Sequence, residues 1–125
     1  ALVGGTSSEA GALRWFGPDE FKCACGCGLD CVLELKQKTD RVRDRLGLPL
    51  IVSSGARCSA ENAACGGVPD SLHLTGEAAD VYTPGMTAEL VDRIAQIARE
   101  EGLGTIRYYD ERFVHLQTWL RDTIA

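Results

Sequence analysis

A chain of 125 residues and 13.4 kDa is large enough for one domain with a real core and too small for two ordinary ones. With 45% hydrophobic and 25% charged residues, its composition is that of a globular protein, and apolar runs such as Leu46 to Ser54 fall far short of the roughly 20 residues of a spanning helix, so membrane insertion is excluded. The net charge of −5, from 13 Lys and Arg against 18 Asp and Glu, withholds the basic field that phosphate-backbone binding needs, so nucleic acid is not an expected partner.

The small and polar residues through Ala12 fit a trimmed chain, with no signal-peptide pattern of charged and then apolar residues. Residues 1–20 are expected to form an N-terminal extension, and 21–117 the core of a single domain. Trp15-Phe16-Gly17-Pro18 predicts a turn. Cys23-Ala24-Cys25-Gly26-Cys27-Gly28-Leu29-Asp30-Cys31 is too rich in Gly and Cys for regular structure and predicts a compact loop. From Val32 to Leu46, apolar Val32, Leu35, Val42 and Leu46 share one helical face, with Gly47 as the stop. Beyond Pro49, Leu50 to Ser53 predicts a short buried strand leading into Ser54-Gly55-Ala56-Arg57-Cys58, and residues 59–71 predict a loop.

Glu77 to Tyr82 predicts a second strand. Thr87 is an expected N-cap, with Leu90, Ile94, Ile97 and Ala98 forming the apolar face of a helix that ends at Gly102. Thr105 to Tyr109 and Arg112 to Gln117 predict two strands joined by a tight hairpin at Asp110-Glu111. No repeat is present. The expected fold class is α+β, a small antiparallel sheet with helices packed on it.

The chain has only two histidines. His73 lies in a Gly-interrupted turn, Asp80 follows on the next strand, and His115 falls on the last strand. Two imidazoles and a carboxylate form the three-ligand set of a catalytic zinc that keeps a fourth position open. Gly76 permits the sharp reversal that lets His73 and Asp80 converge. Arg57, just after a buried strand, presents a planar fork of donors suited to capturing a carboxylate.

Ser71-Leu72-His73-Leu74-Thr75-Gly76-Glu77-Ala78-Ala79-Asp80 resembles the S-x-H-x-x-G-x-A-x-D signature of the zinc D-alanyl-D-alanine carboxypeptidase family of murein peptidases. Ser54-Gly55-Ala56-Arg57 resembles the S-G-x-R segment upstream of it, and Tyr108-Tyr109 with Phe113-Val114-His115 resembles the closing strand pair. Together these motifs span Phe21 to Gln117. The resemblance implies a fold like that of the DD-peptidases and Hedgehog signalling domains, and Zn²⁺ held by His73, Asp80 and His115. It also implies a substrate role for Arg57, with Ser71 steadying the metal loop or the substrate. The implied activity is hydrolysis of peptide bonds involving D-amino acids in peptidoglycan stem peptides, by a monomer that is extracellular, periplasmic or phage-associated.

The chain departs from the family at the catalytic base. Relatives are expected to place it three residues before the last ligand as Asp or Glu, two before it as His, or two after it as Asp; here those positions hold Arg112, Phe113 and Gln117. Strand parity puts Gln117 on the same side as His115, where an amide can orient but cannot act as a base. Glu111, on the hairpin, is the candidate base. The rival reading is a binding or structural module that keeps the zinc fold without turnover. The six cysteines, Cys23, Cys25, Cys27, Cys31, Cys58 and Cys65, leave three states open: disulfides, a second zinc held by thiolates, or free buried thiols. The crowding of Cys23, Cys25, Cys27 and Cys31 is tight for one ion, with no Cys-x₂-Cys knuckle.

Overall fold

The computed structural model describes residues 13–118; the expected trimmed stretch through Ala12 lies outside them. Helix α1, Leu33–Leu46, buries Leu35, Thr39, Val42 and Leu46, and Gly47 ends it in the left-handed conformation at φ 74°. Val32, expected on the buried face, is exposed, and Thr39 fills the face instead, its hydroxyl donating to the Leu35 carbonyl at 2.7 Å. Strand β1 is Ile51–Ser54. Ser59–Ala64, expected as loop, forms a short helix α2 whose only buried residue is Asn62. A 3₁₀ turn, Leu72–Thr75, leads into strand β2, Ala78–Tyr82.

Helix α3 is Ala88–Glu100. Thr87 caps it, its hydroxyl oxygen accepting from the Leu90 N–H at 3.2 Å, and Val91, Ile94, Ala95, Ile97 and Ala98 are buried. Strands β3, Gly104–Tyr108, and β4, Phe113–Gln117, close the fold. The turn between them is wider than the expected two-residue hairpin. It runs over residues 109–112, because Arg112 takes φ 63° and its N–H returns to the Tyr108 carbonyl at 2.8 Å.

The sheet is antiparallel throughout, in the order β1-β2-β4-β3. Alternation sets its two faces: Ala79, Val81, Val114 and Leu116 enter the core with α1 and α3, while Asp80, His115 and Gln117 point the other way. Burying each Leu, Val or Ile of that core contributes roughly 1.5–3 kcal/mol. The α+β class expected from the sequence is the observed one.

The described part of the expected N-terminal extension packs on this core. Phe16 is buried with Phe21, and the backbone N–H groups of Arg14 and Trp15 bond the Asp40 carboxylate of α1. None of the six cysteines forms a disulfide. Cys31 is buried, with its sulfur 3.6 Å from the Phe21 and Ala78 carbonyls, and burial pushes its thiol up to about 12. No helix among the described residues is long and apolar enough to cross a membrane.

Candidate metal centre

Asp80 and His115 are direct partners across β2 and β4, so their side chains leave the sheet side by side on the face away from the helices. His73 reaches the same point from the 3₁₀ turn ahead of β2. Gly76 closes that turn at φ 74°, and a Cβ there would lie 2.5 Å from the Asp30 carbonyl oxygen, so glycine is required by conformation and by space. The Ser71 hydroxyl oxygen accepts from the His73 N–H at 3.1 Å and fixes the start of the turn.

The ligand atoms of His73, Asp80 and His115 all lie within 4.8 Å of one another. His73 Nε2 is 3.4 Å and His115 Nδ1 3.0 Å from Asp80 Oδ1. These separations bracket the roughly 3.3 Å edge of a tetrahedron of N and O ligands drawn about zinc at its usual bond lengths. The remaining ring nitrogens are committed elsewhere: His73 Nδ1 donates to the Gly55 carbonyl at 2.8 Å, and His115 Nε2 to Gln117 Oε1 at 2.9 Å. With a cation bound between them, a neutral ring that donates through either of these bonds offers its other nitrogen as a lone-pair ligand. The donor set therefore fits a borderline cation such as Zn²⁺.

Asp80 is held from its other side. The Arg57 Nη2 donates to Asp80 Oδ2 at 3.3 Å, leaving Oδ1 toward the histidines. Burial alone would push this carboxyl up, but the hydrogen bonds and charge of His115 and His73 override it and hold it down at about 2. The guanidinium is itself set by Nε on Ser54 Oγ at 2.8 Å and Nη1 on Asn62 Oδ1 at 3.2 Å. Gly67 leaves room for that pair, since a Cβ there would lie 2.2 Å from Asn62 Oδ1.

The three residues open onto a cleft of about 220 Å³. Arg57 and Ser71 line it with them, as do the 65–68 loop and the parallel-stacked rings of Tyr108 and Phe113, whose centroids are 4.4 Å apart. A family model described as Peptidase M15 matches residues 14–117. The chain belongs to the peptidase M15 family. No curated protein matches it. As an M15 peptidase the protein is of the zinc-dependent metallopeptidase class, and the His/Asp/His cluster is one group among its described residues that could hold the ion.

The structure brings five of the six expected site residues of this M15 peptidase to one cleft and leaves Glu111 out. Glu111 is exposed on the 109–112 turn and lines a neighbouring hollow with Ser53, Tyr82 and Arg112, which shares Phe113 with the cleft. The wide turn sets it outside the lining of the cleft, where the sequence had led us to expect a base. Gln117 does lie on the face of His115, but behind the ring, bonded to the nitrogen that faces away from Asp80. The Gly55 carbonyl, Asn62 and the Tyr108–Phe113 wall were not foreseen as site parts. Gly55, Tyr108 and Phe113 do fall in the segments that carry the family resemblance, which gave them no role of their own.

Proposed function

We propose that the protein hydrolyses peptide bonds involving D-amino acids in the stem peptides of bacterial peptidoglycan, outside the cytoplasm or as part of a phage. The observation that carries this reading is the three-ligand set at the wall of an open cleft, with Arg57 beside it. His73, Asp80 and His115 are the proposed ligands. A Zn²⁺ held by these residues would supply Lewis acidity for the hydrolysis.

The chain's own residues supply position and charge. Among the described residues, three of the five guanidinium N–H donors of Arg57 are bonded, which leaves two for a substrate carboxylate or carbonyl in the cleft. Ser71 holds the His73 turn in register and lines the same wall. Burial, with the negative charges of Asp80 and Glu111, pushes the Tyr108 phenol up, so it stays a neutral donor at the rim.

One observation favours a second reading, a peptidoglycan-binding module without turnover. Among the described residues that line the cleft, Asp80 is the only carboxylate, and it is a proposed ligand rather than a base. Purified muropeptides incubated with the zinc-loaded protein and examined by mass spectrometry separate the two. The peptidase reading expects new free amines with addition of one water, lost in Asp80→Asn and retained in Glu111→Gln. Binding of intact muropeptide without cleavage supports the binding module, and neither binding nor cleavage removes peptidoglycan as the substrate.

A further inference from the structure

We propose that Cys23, Cys25, Cys27 and Cys58 hold a second Zn²⁺ in a closed tetrathiolate site that clamps the N-terminal loop onto the turn carrying Arg57. The four sulfurs lie within 4.8 Å of one another. Cys23 Sγ is 3.4 Å from Cys25 Sγ, and Cys25 Sγ is 3.6 Å from Cys58 Sγ. Zinc–sulfur bonds of about 2.3 Å in a tetrahedron place sulfurs about 3.8 Å apart, so the spacing is close to that of a filled site. Cys31, the fourth member of the sequence cluster, is turned into the core, and a cysteine 27 residues downstream replaces it.

The backbone explains how Cys-x-Cys-x-Cys, too tight for an ordinary zinc knuckle, reaches one centre. A turn over residues 23–26, with Gly26 at φ 84° and Gly28 at φ 92°, folds the segment back on itself and gathers its three sulfurs. The Gly26 N–H returns to the Cys23 carbonyl at 3.1 Å, and the Cys23 N–H bonds the Leu29 carbonyl at 2.8 Å, closing the loop. The Cys58 N–H points at Cys23 Sγ at 3.4 Å, the amide-to-sulfur bond that favours a thiolate.

The site is placed to fix the rim of the cleft. Cys58 follows Arg57 directly, the Ala56 N–H bonds the Phe21 carbonyl at 2.9 Å, and a Cβ on Gly55 would lie 2.2 Å from the Phe21 oxygen. Loop 21–27 and turn 54–58 are thus in backbone contact, and the four thiolates tie them at the far end. The site shares no ligand with His73, Asp80 and His115, so its fate is separable from theirs.

The test counts zinc in the full chain purified under reducing conditions. Two zinc ions per chain are expected, falling to one in His73→Ala and to one in the double variant Cys25→Ser, Cys27→Ser, whose replaced residues are exposed. Cobalt substitution should give sulfur-to-metal charge-transfer absorption in wild type and His73→Ala, and none in the cysteine variant. Should the variant not fold, a mercurial that blocks thiols, added to wild type with a chromophoric zinc chelator, should release one equivalent and leave the other bound. A single zinc per chain that disappears in His73→Ala overturns the proposal, as does a protein whose mass shows these four thiols oxidised in pairs. Two ions unaffected by thiol blocking or by the cysteine variant also overturn it.

Discussion

Gln117 is fully buried on a strand, and its amide oxygen accepts from His115 Nε2 at 2.9 Å. That bond sets which nitrogen of His115 faces Asp80, the job an outer carboxylate or carbonyl performs for ligating histidines. Gln117→Leu should weaken zinc binding at this site by about 10- to 100-fold, with Gln117→Glu staying near wild type, as read by competition with a chromophoric chelator. Arg57→Lys should leave zinc content unchanged but weaken stem-peptide binding, because a point charge cannot restore three directed bonds and a fork. Asp80 carries a sign for acid. Its folded pKa of about 2 lies below the unfolded value of 3.8, so its contribution is full above pH 4 and lost as pH falls toward 2. In zinc-free protein this is on the order of 2 kcal/mol, and urea titrations at stepwise lower pH should show it in wild type and not in Asp80→Asn. The meeting of His73, Asp80 and His115 was legible because the motif and strand parity both act locally. The placement of Glu111 was not, since a turn over residues 109–112 in place of a two-residue one decides where a hairpin tip points.

At the scale of elements, the long helices were readable because their ends carry local signals, Gly47 in the left-handed conformation and the Thr87 cap. Helix α2 was not: Ser59–Ala64 has no apolar period, and Asn62 anchors it by bonding the Val68 carbonyl and Arg57, contacts that only the fold supplies. Likewise the partnership of Cys58 with Cys23 and Cys25 spans the first helix and strand and has no spacing signature. Gly76 joins two segments at the metal face, the 3₁₀ turn and the loop ahead of α1. Gly76→Ala combines a left-handed residue with a Cβ 2.5 Å from the Asp30 oxygen. It should cost at least about 2 kcal/mol and lower Tm by roughly 8 °C, measured by thermal melting of the zinc-loaded protein.

Taken whole, the molecule divides its work between two faces of one sheet: helices and core on one side, and on the other a cleft where two cross-strand residues and a turn residue converge. Every buried side-chain nitrogen and oxygen among the described residues has a partner. Because a cation that binds only the folded form stabilises it by mass action, about 4 kcal/mol at a thousandfold excess over Kd, chelation should lower Tm and zinc should restore it. The most direct test of the metal centre is diffraction from zinc-loaded crystals, recorded on both sides of the zinc absorption edge. The expected result is an anomalous peak about 2 Å from His73 Nε2, Asp80 Oδ1 and His115 Nδ1, with Gln117 still bonded to His115 Nε2. A peak held by His115 Nε2, or no peak among these three residues in a protein that binds zinc elsewhere, would contradict it.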